Sequence, residues 1–236
     1  MKKTLLIGFV SLLIASCSTS KKEGNMIING QITGLKKGTL YLQKMKDTLL
    51  VTVDSVALLG TDVFRLSDDV TSPELYYLTF SGNTANKYLL FFGEAGNITI
   101  NDDITKFGID PKITGSKNQE LLDGYNSIAK RYNDQNLDLI KQGFVAQQLK
   151  NKDSIDLVDK KANSLLRRRI LFATNYAVSN ADYEVAPYIA LTALSNANIK
   201  LLDTVNNSLS ESVKNSIYGK KLANFIATIK KNETDK

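Results

Sequence analysis

Between residues 26 and 115, apolar positions alternate with polar ones in short runs broken by glycine, asparagine and aspartate. Period two is clearest in Thr39-Leu40-Tyr41-Leu42-Gln43 and in Asn97-Ile98-Thr99-Ile100-Asn101. Alternation of this kind places one side chain in two on a buried face, which is the signature of a half-buried strand. The runs predict strands over 27–33, 39–45, 49–57, 63–66, 75–81, 88–93, 98–101 and 107–113. Gly34-Leu35-Lys36-Lys37-Gly38 and Lys46-Asp47 read as hairpin connections, and Asp68-Asp69-Val70-Thr71-Ser72-Pro73 as a longer crossing. The spacing suits an antiparallel β-sandwich or an open barrel.

At Gly115-Ser116 the period changes. Leu121, Leu122, Tyr125, Ile128, Ala129 and Tyr132 recur on one helical face, with Ser116 placed as N-cap and Gln119 three residues on to complete a capping box. Further helices are predicted around 137–149, 154–179, 183–196 and 210–231, joined by short polar breaks. Ile155, Val158, Ala162, Leu165, Leu166, Ala173 and Ala177 form a stripe that needs a partner surface. The predicted class is α+β, with a β domain over 26–115 and an all-helical domain over 116–236.

The start of the chain has its own logic. Lys2 and Lys3 precede an apolar run over 5–14 that is too short to span a bilayer, and the run ends in Ala15-Ser16-Cys17. Small residues before a cysteine match a bacterial lipobox, so residues 1–16 read as a signal peptide and Cys17 as the lipidated residue. Cys17 is the one cysteine of the chain. Lipidation accounts for a lone thiol in a secreted protein without a disulfide or a reactive site. Residues 17–25 then form a polar tether between the membrane and the folded part. Ser18 supplies no acidic retention signal and no acidic cluster follows it, which by analogy with lipoprotein sorting predicts the outer membrane, facing the periplasm.

Removal of the signal peptide leaves 220 residues and lowers the formal charge from +6 to +4. That mild excess and the lack of any nucleic-acid-binding motif argue against a nucleic-acid partner. The chain has no histidine and its one cysteine is assigned to lipid, so Ser–His–Asp, Cys–His, His–zinc and CxxC chemistries have no residues to use. Carboxylate, lysine or tyrosine chemistry and oxygen-ligated calcium remain open. The reading is a non-enzymatic binding or interaction module with no cofactor, no metal and an envelope protein as partner. A carboxylate-dependent hydrolase or lyase is the rival from the enzyme class.

A family resemblance follows from motif order. Ile28-Asn29-Gly30-Gln31-Ile32, Val53-Asp54-Ser55-Val56, Gly60 to Phe64, Phe91-Phe92-Gly93-Glu94-Ala95-Gly96-Asn97-Ile98 and Thr114-Gly115-Ser116 occur in sequence. Tyr183-Glu184-Val185-Ala186-Pro187-Tyr188 and Asn215-Ser216-Ile217-Tyr218-Gly219-Lys220-Lys221-Leu222 follow. This order resembles the domain of unknown function that precedes a thioredoxin-like domain in Bacteroidota thiol–disulfide oxidoreductase lipoproteins. The resemblance implies the fold and the envelope address. It transfers no redox activity, because the reactive CxxC pair has no counterpart here, and it leaves a role as accessory to a separate thioredoxin-like oxidoreductase as an alternative.

Individual side chains have structural and functional readings. Asp54-Ser55 reads first as a strand-end turn, and Asn101-Asp102-Asp103 as a strand-ending turn in preference to a calcium loop. Arg167-Arg168-Arg169 reads as a solvated helical face, since three consecutive residues spread over about 200°. Tyr76-Tyr77 and Phe91-Phe92 should each send one ring inward and one outward. Asp47-Thr48-Leu49, Asp54-Ser55-Val56, Asp153-Ser154-Ile155 and Asp203-Thr204-Val205 resemble an O-glycosylation sequon, which makes Thr48, Ser55, Ser154 and Thr204 candidate acceptors.

Overall fold

The computed structural model describes residues 24–85 and 87–234. The signal peptide, Cys17 and the tether as far as residue 23 lie outside the described residues. Eight strands come first: β1 (Met26–Thr33), β2 (Lys37–Lys46), β3 (Leu49–Leu59), β4 (Val63–Asp68), β5 (Glu74–Phe80), β6 (Leu89–Gly93), β7 (Gly96–Asp103) and β8 (Lys112–Thr114). Six helices follow: α1 (Lys117–Gln148), α2 (Lys152–Ser179), α3 (Val185–Ala193), α4 (Ile199–Ser208), α5 (Glu211–Lys214) and α6 (Ile217–Thr234). The fold is α+β, strands first and helices second.

The strands form two four-stranded sheets, ordered β4-β1-β7-β8 and β3-β2-β5-β6. Alternate residues of both sheets point into one shared core, with Ile28, Ile32, Phe64, Leu66, Ile98 and Ile100 from the first and Leu40, Leu42, Leu58, Leu78, Leu89 and Phe91 from the second. Each such side chain contributes about 1.5–3 kcal/mol by leaving water, enough in sum to hold two sheets face to face. β1 and β7 run parallel, from Met26 opposite Gly96 to Thr33 opposite Asp103, while the other pairs are antiparallel. A parallel neighbour arises here because the chain leaves the first sheet after β4, adds β5 and β6 to the second, and returns as β7.

One of the two expected hairpins holds and the other does not. The segment from Gly34 to Lys36 is no hairpin, since β1 and β2 belong to different sheets and the turn carries the chain across. Lys46 and Leu49 do close a hairpin, with Asp47 at φ 55° in its turn. The expected strand over 107–113 shrinks to β8. A 3-10 turn over Ile104–Lys106 comes first, Phe107 plugs the sandwich core against the Phe80 ring, and Asp102 Oδ2 accepts the Gly108 N–H at 2.7 Å.

The helices wrap a second core to which all six contribute. α1 starts where predicted: Ser116 Oγ accepts the Gln119 N–H at 3.1 Å. It is one 32-residue helix, not two. The polar stretch Asn133-Asp134-Gln135-Asn136 is an exposed part of the same helix, where loss of apolar periodicity reports solvent and not a break. α4 occupies part of the segment read as a polar break, burying Leu202 and Val205. α1 and α2 join through Lys150 at φ 49°, with Asn151 N–H donating to Ala146 O at 3.0 Å. This closes α1 in a Schellman turn, and Asn151 Oδ1 then caps α2 by accepting the Ser154 N–H at 3.0 Å.

Candidate functional site

The strand and helix layers meet at β6. Its inward residues Leu89 and Phe91 belong to the sandwich core, whereas Phe92 on the opposite face enters the helical core with edge contacts to Tyr188 and Tyr218. The two rings of Phe91-Phe92 point to opposite faces as alternation predicts, and both are buried because β6 is covered on both faces. The Phe92 N–H donates to Gln119 Oε1 at 2.8 Å, and Gln119 Nε2 donates to Asp123 Oδ1 at 2.7 Å. Gln119 thus leaves the reciprocal half of the expected capping box unmade and spends its side chain on the junction.

A carboxylate cluster closes one side of this junction. Glu94 receives the Lys117 N–H and, at 2.7 Å, the Asn118 Nδ2, so its charge sits on the N-terminus of α1. Asn118 Nδ2 also reaches Glu184 Oε2 at 3.3 Å, and Asn118 Oδ1 accepts the Val185 N–H at 2.9 Å. Burial lifts the Glu184 carboxyl above its ordinary range, its hydrogen bonds oppose that, and the charge of Glu94 adds to it. Asn118 holds both carboxylates in one network that joins β6, α1 and α3.

Beside this network lies a cleft of about 700 Å³ between the β8 side of the sandwich and helices α1 and α3. Leu90, Ile113 and Leu122 line it together with Asp123, Tyr125 and Tyr188. Burial raises the Asp123 carboxyl, partly offset by its bond from Gln119, and burial likewise raises both tyrosine hydroxyls.

A third cluster sits inside the sandwich. Lys44 Nζ donates to Asp68 Oδ2 at 2.8 Å, Glu74 Oε1 at 3.1 Å and Tyr76 OH at 3.2 Å, while the Tyr76 hydroxyl donates to Asp68 at 2.7 Å. Burial pulls the Lys44 ammonium down, yet the hydrogen bonds and charges of Asp68 and Glu74 outweigh it and hold its pKa above the ordinary value. Burial and Asp68 together push Tyr76 far up. Both shifts favour the proton-bearing form, the opposite of what a lysine nucleophile or a tyrosine base needs at neutral pH. The cluster clamps β2, β4 and β5 together.

The far half of the α1–α2 hairpin has a different character. Leu137, Ile140 and Phe144 recur at three and four along α1 and are 55%, 59% and 62% exposed, and Leu149, Leu157 and Leu166 are exposed as well. Leu166 departs from the predicted buried stripe, in which Leu165, Ala173 and Ala177 are buried. Shallow hollows flank the hairpin on both sides, one of about 340 Å³ at Ile140, Phe144 and Ala162 and one of about 410 Å³ at Val145, Leu149 and Leu157. Between Lys130 and Arg169 ten basic residues stand against five acidic ones. Arg167, Arg168 and Arg169 are all exposed.

Asp54 lies within β3, at the bulge opposite Leu42 and Gln43, instead of at a strand end. Its Oδ2 accepts the Ser67 N–H at 2.8 Å and stitches the β3 edge of one sheet to the β4 edge of the other. Asp103 caps the 3-10 turn by accepting the Thr105 N–H at 2.8 Å. No group of three or more acidic or thiol ligands able to hold a metal occurs among the described residues. Thr48, Ser55 and Thr204 are exposed and Ser154 is half-buried. The four are far apart in the fold, in the β2–β3 turn, on β3, in the first turn of α2 and on α4. Gln119, Asn118, Glu94, Glu184, Asp123 and Lys44 escaped the sequence reading. Gln119 carries a capping signal and Glu94 falls in the motif over 91–98, but their junction partners lie 23 to 27 residues away in sequence.

No helix among the described residues is long and apolar enough to cross a membrane. No curated protein and no solved structure matches the chain. Residues 26–122 match the family model of a domain of unknown function, DUF4369, which spans the sandwich and the first turns of α1 through Leu122. The resemblance read from the motif order is therefore matched over residues 26–122, and the motifs at 183–188 and 215–222 lie outside the match.

Proposed function

We propose that this protein is a lipid-anchored cell-envelope module, held through Cys17 to the outer membrane on its periplasmic side, that works by docking an acidic envelope protein on the α1–α2 hairpin. The exposed apolar stripe of Leu137, Ile140 and Phe144 is the observation that carries the reading. Large apolar side chains grouped on a projecting element mark a contact surface more often than scattered ones do.

Charge and shape select the occupant. The far half of the hairpin, from Lys130 to Arg169, carries an excess of five positive charges, so a second copy would meet like charge. Apolar hollows lie on both sides of the hairpin, which a flat lipid surface would leave half uncovered. A protein with acidic flanks and an apolar ridge meets both features. The sandwich and the buried β6 junction then serve as a rigid base between anchor and hairpin.

Two measurements test the reading. Metabolic labelling with an alkyne fatty acid should mark the wild-type chain and not Cys17→Ser. Capture from envelope extracts at low salt should recover an acidic protein that is lost at high salt and with Ile140→Asp plus Phe144→Asp. Capture indifferent to those substitutions, concentration-dependent self-association, or binding to anionic vesicles in place of protein would each overturn the docking claim.

A further inference from the structure

The cleft at the strand–helix junction is separate from the hairpin and has the chemistry of a small-molecule seat. Its volume of about 700 Å³ falls in the range of about 300–1,000 Å³ usual for such sites. Leu90, Ile113 and Leu122 give it an apolar wall, and Asp123, Asn126 and Thr192 give it a polar rim. Three polar groups have hydrogen-bonding capacity to spare. The Tyr125 and Tyr188 hydroxyls make no hydrogen bond among the described residues, although both rings are largely packed. Asp123 uses Oδ1 on Gln119 and leaves Oδ2 uncommitted.

The lining sorts ligand classes. An anion is disfavoured, because Asp110 and Asp123 outnumber Lys130 and the N-terminus of α1 is already taken by Glu94 and Ser116. An acyl chain would strand the Asp123 carboxylate and two hydroxyls without hydrogen bonds. A neutral polyhydroxylated molecule fits both surfaces: its C–H faces lie on the apolar wall, and its hydroxyls satisfy Tyr125, Tyr188 and Asp123. We infer that the cleft between β6, β8, α1 and α3 is a binding site for a neutral saccharide of one to three residues.

The fixed position of the site supports this. Gln119 ties Asp123 to the β6 backbone, and Tyr188 is held by ring contacts to Phe92 and Tyr218, so the two polar groups are set before a ligand arrives.

The test uses the purified full chain and a panel of glucose, mannose and N-acetylglucosamine with their β-linked di- and trisaccharides. Saturation-transfer NMR reports contact, and tyrosine fluorescence is a second readout in a chain with ten tyrosines and no tryptophan. At least one saccharide should bind, and Tyr188→Phe and Asp123→Asn should each weaken it by about fivefold or more, the size of one lost hydrogen bond. Tyr188→Phe keeps the ring and its packing, so unchanged thermal melting separates loss of binding from loss of fold. Ile140→Asp should leave saccharide affinity unchanged. Absence of binding across the panel, preference for an amine or fatty acid over every sugar, or affinity unaltered in both cleft variants would overturn the inference.

Discussion

The backbone N–H of Phe92 donates to the side-chain Oε1 of Gln119 at 2.8 Å, and this one bond joins the edge strand of a sandwich to the first turn of a 32-residue helix. Both groups are buried. Gln119→Leu keeps the volume and removes the acceptor, leaving the Phe92 N–H without a partner in a dry site. Chemical denaturation should show a loss of about 1–3 kcal/mol. Phe92→Ala, which empties a ring site between Tyr188 and Tyr218, should lose about 3–5 kcal/mol. If Gln119→Leu melts like wild type, the junction is held by packing alone.

Lys44, with 22% of its side chain exposed, is neither a surface ion nor a fully buried one. Lys44→Met should therefore cost about 1–3 kcal/mol, between the values typical of exposed and of buried pairs. The pH dependence has a fixed sign. Lys44 and Tyr76 both hold their protons more tightly when folded than at their ordinary values of 10.5 and 10.0, so their stabilisation is complete below about pH 10 and fades as pH rises further. Denaturation midpoints between pH 9 and pH 11.5 should fall more steeply for wild type than for Lys44→Met.

Glu184 and Asp123 act at the other end of the scale. Burial raises both carboxyls above ordinary values of 4.5 and 3.8, so the folded chain binds protons that the unfolded chain has released. Their contribution declines as pH rises through the window just above those values. Glu184→Gln carries no titrating proton there, so its stability relative to wild type should improve between pH 4 and pH 7. A difference that stays flat across that interval would show that Glu184 is not strained by burial.

Two helical glycines separate backbone freedom from packing. A Cβ on Gly143 would meet only Val158 Cγ1, at 3.5 Å, an ordinary contact. Gly143→Ala should raise stability by about 0.5–1 kcal/mol through reduced freedom of the unfolded chain. A Cβ on Gly219 would lie 2.0 Å from Val213 O, so Gly219→Ala should destabilise, and thermal melting of the two variants should move in opposite directions.

The alternating runs announced most of the sandwich because most strands there have one covered face. The motif glycine Gly30 has a steric reason, since a Cβ would come within 1.8 Å of Ile100 O on the parallel neighbour β7. Where periodicity failed, the environment departed from its assumption. β6 is covered on both sides, so Phe91-Phe92 reads as alternation but buries both rings. The middle of α1 is exposed on nearly all sides, so Asn133 to Asn136 reads as a break and remains helical. The crossing over 34–36 looked like a hairpin because glycine turns mark a reversal without saying which sheet receives the next strand. The junction network was illegible for a different reason. Gln119, Asn118 and Glu184 acquire their roles from partners brought near by the meeting of two layers, and neither composition nor spacing encodes that meeting.

The docking surface on α1 allows the most direct test. A photoreactive residue placed at Phe144 in living cells should crosslink to one acidic envelope protein, and the same probe at exposed Thr48, on the sandwich, should not. Crosslinks from Phe144 that are absent, that join two copies of this chain, or that are matched in yield by Thr48 would contradict the hairpin as the working surface.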